Sequence, residues 1–271
     1  MTYFSFLLKF LLFPVLFFLV IALIDGRRGK TAQSFMGGRA VWVAIGIHIL
    51  LAVVYTTPWD NYLVATGVWY YDPKLISGIV LGWVPIEEYL FFVLETILTG
   101  LWWLFLIRRL RLTIEFKPGR NVRFVSTAVL AVVWLIAVSV LTSSLKPASY
   151  LSLIIVWALP AMMLQLAFGA DILWHYRKIV TLAILPVFLY VSAADALAIS
   201  SGTWTIDPLQ SLGITIGTLP IEEAVFFLVT VIIIGFGLTI SLACASQARW
   251  ASWVERARKA YPWDKISPKI S

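Results

Sequence analysis

Two segments of this chain repeat one another at a fixed offset of 135 residues, without a gap. The first runs Gly67-Val-Trp-Tyr-Tyr-Asp72-Pro73, then Gly78, Gly82 and Pro85-Ile-Glu87-Glu88. The second runs Gly202-Thr-Trp-Thr-Ile-Asp207-Pro208, then Gly213, Gly217 and Pro220-Ile-Glu222-Glu223. Upstream the same offset pairs Asp60 with Asp195. Four pairs of carboxylates thus recur, and four of those eight carboxylates sit in apolar surroundings. An ionisable group within a membrane segment is expensive, so it marks a functional site by default, and its duplication strengthens that reading.

The surroundings are apolar because the chain is 61% hydrophobic and 13% charged, against about 25% charged in soluble domains. Runs of about 20 apolar residues are long enough to cross a bilayer as helices. Seven are expected, at 3–24, 40–57, 76–107, 122–142, 150–170, 179–199 and 211–243. The first lacks a small-residue cleavage site and is read as a retained helix rather than a signal peptide. Pro85 and Pro220 interrupt the third and seventh runs, where a kink or a helix start belongs. The single Cys244 excludes an internal disulfide, and His48 and His175 lie too far apart in sequence to mark a histidine-rich metal site.

Lys and Arg set the expected topology. Eighteen of the 21 basic residues fall in the loops after spans 1, 3 and 5 and in the C-terminal tail, including Arg111, Lys265 and Lys269. The expectation is a multi-pass protein of the cell membrane with its N-terminus outside and its C-terminus cytoplasmic. The net charge of +7 is then a topology signal and a contact with anionic headgroups, and calls for no nucleic acid. The fold class is all-α: two parallel three-helix repeats at 1–112 and 147–243, a linker with span 4 at 113–146, and a basic tail at 244–271. A pseudo-two-fold axis along the membrane normal brings the two Pro-Ile-Glu-Glu segments to one depth, facing each other. Asp60, Asp72, Asp195 and Asp207 lie toward the outer end of the same cavity.

Residues four apart share a helix face. Glu87 therefore stacks with Phe91, Glu88 with Phe92, Glu222 with Phe226 and Glu223 with Phe227. Burial favours the protonated carboxyl, and ring faces attract cations. Acid, base and rings together suit carbocation chemistry on an apolar substrate, with Glu87, Glu88, Glu222 and Glu223 as catalytic candidates. Trp83, Tyr89 and Glu95 enrich the first repeat, which is the expected side of the acid. The alternative is structural: the carboxylates cap broken helices or lock the two units, and the Asp-Pro pairs are ordinary turn formers.

Two three-helix repeats, each opening its third helix with Pro-x-Glu-Glu, resemble the lycopene cyclases of the heterodimeric type, in their fused single-chain form. Pro85-Glu87-Glu88 and Pro220-Glu222-Glu223 match that family's two motifs. The resemblance implies cyclisation of the acyclic ends of lycopene, or a related acyclic carotenoid, to β-rings. No redox change, metal or other cofactor is implied. Membrane lipid and other carotenoid-pathway enzymes are the remaining expected partners. Family relatives act on C50 carotenoids, so substrate length stays open. A polyprenyl transferase would need an Asp-rich diphosphate site, and no such cluster is present. A flavin enzyme would show a Gly-rich dinucleotide motif. A proton-coupled transporter shares the parallel repeats, but the motif has few polar neighbours. A retinal protein needs a lysine in the last span, and residues 211–243 have none.

Overall fold

The computed structural model describes residues 1–31, 34–110, 116–143 and 145–260. Among them seven helices are long and apolar enough to cross a membrane. They are α1 (Tyr3–Arg27), α2 (Arg39–Ala65), α3 (Ile86–Ile107), α4 (Arg120–Leu141), α5 (Ser149–His175), α6 (Arg177–Ser200) and α7 (Ile221–Leu242). An eighth, α8 (Cys244–Ala260), occupies the basic tail. Arg111 and the tail lysines Lys265 and Lys269 lie outside the described residues.

The expected third and seventh spans are shorter than their apolar runs. Residues 76–85 and 211–220 are not helical. Each carries a two-residue hairpin: β2 (Val80–Leu81) with β3 (Val84–Pro85), and β5 (Thr215–Ile216) with β6 (Leu219–Pro220). Apolarity alone cannot separate such a ribbon from a helix, but its turns can. Gly82 and Gly217 stand at φ 70° and 64° at the first turn position, where a tight hairpin needs a residue free to adopt positive φ. At Gly82 a Cβ would also lie 2.2 Å from Asn61 Oδ1. Pro85 and Pro220 then serve as N-caps with extended backbone. They start α3 and α7 rather than kink them, and the glutamates fall in the first turn, where the helix dipole favours negative charge.

The all-α expectation gains one more element. β1 (Trp69–Tyr71) and β4 (Trp204–Ile206) pair antiparallel, with Tyr70 opposite Thr205. Those two residues are 135 positions apart, so equivalent positions of the repeated segments face each other at the centre of the ladder. The bounds of α3 and α7 are displaced by the same 135 residues.

The central helices α3 and α7 are the most buried, whereas α4 packs mainly against α5 and buries only Ala137. At the basic end, carboxylates tie loops to helices. Asp25 accepts from Lys30 and Arg109, at 2.9 and 2.7 Å. Asp171 is clasped by both Arg249 amino groups at 2.9 and 2.6 Å and by the Gly119 N–H at 2.9 Å. Arg249 also donates to the Phe168 carbonyl. Removing one partner of a buried pair strands the other charge. Asp171→Asn is therefore expected to destabilise the protein by about 3 kcal/mol. The thermal midpoint in detergent checks this, and an unchanged midpoint would show the cluster to be idle.

Candidate active site

The first turns of α3 and α7 deliver four glutamates, and the helix turn divides them into two pairs. Adjacent residues point about 100° apart. Glu87 and Glu222 turn toward their own hairpins. Glu87 Oε1 accepts the Ser77 N–H at 2.6 Å and Glu222 Oε1 the Leu212 N–H at 2.7 Å, while each Oε2 is buried without a hydrogen-bond partner among the described residues. Glu88 and Glu223 turn the other way, into one shared cavity of about 30 Å³ between the two repeats. The expectation that all four line one cavity is corrected accordingly.

The rings around the cavity differ from the four-residue stacking rule. Phe91, Phe226 and Phe227 line it with Trp69 and Trp204, whereas Phe92 lies outside. Phe91 and Phe227 meet at 5.8 Å, and Phe226 and Phe227 at 5.2 Å. Glu88 therefore pairs with the ring three residues on, which also shares its face.

Three tyrosines complete the site, and the sequence reading missed all of them. Tyr3 and Tyr71 both donate to Glu88 Oε2, at 2.5 and 2.9 Å. Among the described residues Tyr150 alone donates to Glu223 Oε1, at 2.5 Å. Burial, then the Glu88 charge, pushes the Tyr71 phenol well above its ordinary range, so it stays a donor. Tyr3 and Tyr150 occupy matching places. Their N–H groups bond the carbonyls of Leu75 and Gln210, at 2.8 and 3.1 Å, and those two residues are again 135 apart. The tyrosines themselves are 147 apart, so an ungapped comparison cannot align them. A gapped one, allowing a longer connection from α1 to α2 than from α5 to α6, would find them.

The aspartates separate in the same way. Asp195 lines the cavity and accepts the Trp204 indole N–H at 2.9 Å. Asp60 is fully buried, and neither of its oxygens has a hydrogen-bond partner among the described residues. Asp72 and Asp207 lie outside the cavity, contrary to expectation. Each caps a turn by accepting a backbone N–H two residues on, from Lys74 and from Leu209. The Leu209 N–H, helped by the Gln210 amide, holds the Asp207 carboxyl below the usual range.

The expected enrichment of the first repeat also resolves differently. Trp83 is 65% exposed. Tyr89 donates to the Leu81 carbonyl and accepts from Asn61, bracing the first hairpin rather than facing a cation. Glu95 accepts from Thr230 at 3.0 Å in a separate groove, beside Phe92. Among the described residues no three His, Cys, Asp or Glu side chains converge closely enough to hold a metal ion.

A family model of lycopene cyclases matches residues 31–106 and 147–240. The lycopene beta-cyclase of Halobacterium salinarum is 42% identical over 209 residues, which cover 77% of this chain and 86% of that protein. The bifunctional lycopene cyclase/phytoene synthase of Podospora anserina is 33% identical over 217 residues, covering 74% of this chain and 35% of that protein. Its counterpart in Neurospora crassa is 34% identical over 212 residues, with 72% and 34% covered. No solved structure matches. The chain belongs to the lycopene cyclase family.

Glu87 and Glu222 satisfy the backbone donors of Ser77 and Leu212. Glu87→Ala and Glu222→Ala are each expected to destabilise the protein by about 1 kcal/mol, the net contribution of such a hydrogen bond. Thermal unfolding of the purified variants in detergent checks this; midpoints equal to the parent's would remove the clamp role.

Proposed function

We propose that this chain is a membrane-embedded lycopene cyclase that closes acyclic carotenoid ends to β-rings by proton transfer alone. The observation that carries the reading is the meeting of Glu88 and Glu223 in one ring-walled cavity. One carboxyl protonates the terminal double bond. The electrons of a neighbouring double bond close the ring onto the cation, and a second carboxylate removes a proton to form the ring alkene. Phe91, Phe226 and Phe227 face the transient charge. The proton passes between two groups of one cavity, so the net change is an isomerisation.

The tyrosine inventory supports a division of labour. A carboxylate is an acceptor only, and a protonated carboxyl a donor. Glu88, with two phenol donors on one oxygen, suits the base; Glu223, with one, suits the acid. This reverses the sequence expectation of an acid in the first repeat. Glu87, Glu222, Pro85 and Pro220 set the carboxylates' direction, and Asp195 positions Trp204.

The architecture proposed with it is two parallel units, 1–112 and 147–243, related by an axis through the β1–β4 ladder and joined by 113–146. The self-matched register and the equal displacement of α3 and α7 support that arrangement. Positive loops put the N-terminus outside the cell membrane and the C-terminus in the cytoplasm. Lipid and neighbouring pathway enzymes complete the expected partners.

Reconstituted protein in liposomes containing lycopene is expected to yield ring-bearing product by chromatography. Absence of any cyclised product overturns the reading. Chelation of divalent metals and omission of flavin are expected to leave the rate unchanged; rescue by magnesium would instead favour diphosphate chemistry. General acid–base catalysis typically contributes about 10²–10⁴-fold, so Glu88→Gln and Glu223→Gln should each lose at least about 10²-fold. In heavy water the two should part. E88Q is expected to exchange deuterium into recovered lycopene, because the acid still works reversibly, and E223Q is not.

A further inference from the structure

The central cavity is too small for its proposed substrate. About 30 Å³ is room for roughly one water, not for a carotenoid end group. The substrate is a hydrocarbon dissolved in the bilayer, so a wall must open toward lipid. Phe226 forms a wall that the cavity shares with a larger space. That space is a groove of about 420 Å³ between α2, α3, α5 and α7, and Phe226 lines both. Its mouth is lipid-facing: Leu51, Tyr55 and Leu164 line it and are 56%, 41% and 75% exposed. It runs along α5 from Trp157 to Gln165, about 12 Å at 1.5 Å per residue.

The opposite side of the molecule carries the matching place, and there the space is about half as large and shares no lining residue with the central cavity. The Tyr55 hydroxyl donates to the Trp157 carbonyl at 2.7 Å; its equivalent Tyr190 donates to the Phe10 carbonyl at 3.0 Å. Below that second bond Pro14, Phe18, Trp102 and Pro186 enclose only about 200 Å³. Two exchanges account for the difference. Trp102, its indole bonded to the Leu182 carbonyl at 2.8 Å, stands where the groove has Gly237. Phe18, packed on Trp102 at 5.4 Å, stands where the groove has Gln165. At Gly237 the freed space is partly taken by His48, whose Nε2 would lie 2.2 Å from a Cβ there.

We propose that the groove between α2 and α5 is the single lateral port for the carotenoid. Its reacting end passes Phe226 to reach Glu88 and Glu223, and the polyene lies along the groove. The opposite face is closed by Trp102 and Phe18. Phe226 opens by a rotamer change; its ring is now stacked on Trp59 at 5.5 Å. This port rests on the cyclase reading above, whose cavity it serves.

The test uses full-length protein in lycopene-containing liposomes, with Cys244→Ser as background. Single cysteines are placed in the port, Ala161→Cys and Leu51→Cys, and at the matching closed positions, Pro14→Cys and Pro186→Cys. Each is treated with benzyl methanethiosulfonate, a lipid-permeant thiol reagent that dithiothreitol removes. Modified A161C and L51C are expected to lose at least about tenfold in initial cyclisation rate by displacement of the reacting end, and to recover on reduction. Modified P14C and P186C are expected to keep theirs. Full rates in modified A161C and L51C, or equal losses on both faces, overturn the port. A second readout needs no turnover: lycopene in the bilayer should slow modification of A161C and not of P14C. Protection without product would sink the cyclase reading and keep the groove. Product without protection would do the reverse. A variant slow before labelling is still decided by this second measurement.

Discussion

Everything in the centre of this molecule follows from placing carboxyl groups where no water reaches. A buried carboxylate without partners is expelled or neutralised, so each glutamate must find donors inside the protein. The chain supplies them by starting two buried helices with Pro-Ile-Glu-Glu. At a helix start the dipole favours negative charge. The 100° step between neighbours then sends Glu87 and Glu222 back to their hairpins and Glu88 and Glu223 inward to tyrosines. One carboxylate of each pair anchors the turn that aims the other.

The hairpins are therefore part of the site. Gly82 and Gly217 allow the chain to reverse within two residues, which brings Ser77 and Leu212 over the helix ends. Without the turn the backbone N–H groups would not reach Glu87 and Glu222. The second member of each pair would then be free to rotate away from its tyrosine.

Much of this was legible in the sequence, and the parts that were not have definite causes. The gapless offset exposed the glutamates, the phenylalanines and the Trp69–Trp204 neighbourhood, and hydropathy found seven crossings. The ribbons at 76–85 and 211–220 were hidden because apolar residues bounded by glycine read equally well as the start of a span. Tyr3 and Tyr150 were hidden because the first helices of the two repeats stand 147 residues apart, beyond the register of the motif. The roles of Phe91 and Phe92 were exchanged because i+3 and i+4 neighbours both share a face, and only packing against the opposite repeat chooses between them. Tyr89 looked like a site residue because it adjoins the motif, yet its hydroxyl is engaged by Leu81 and Asn61.

The β1–β4 ladder carries a consequence for how such a chain can be divided. Each strand finds its backbone partner in the other half. A half made alone would present a short strand edge with open donors and acceptors, and such edges seek another strand. The available complement is the other half, or a second copy of the same half in the same self-matched register. Cutting the chain in the connection before α5 would thus turn an internal ribbon into a subunit contact, and homodimers of either half would compete with the true pair for the same few hydrogen bonds.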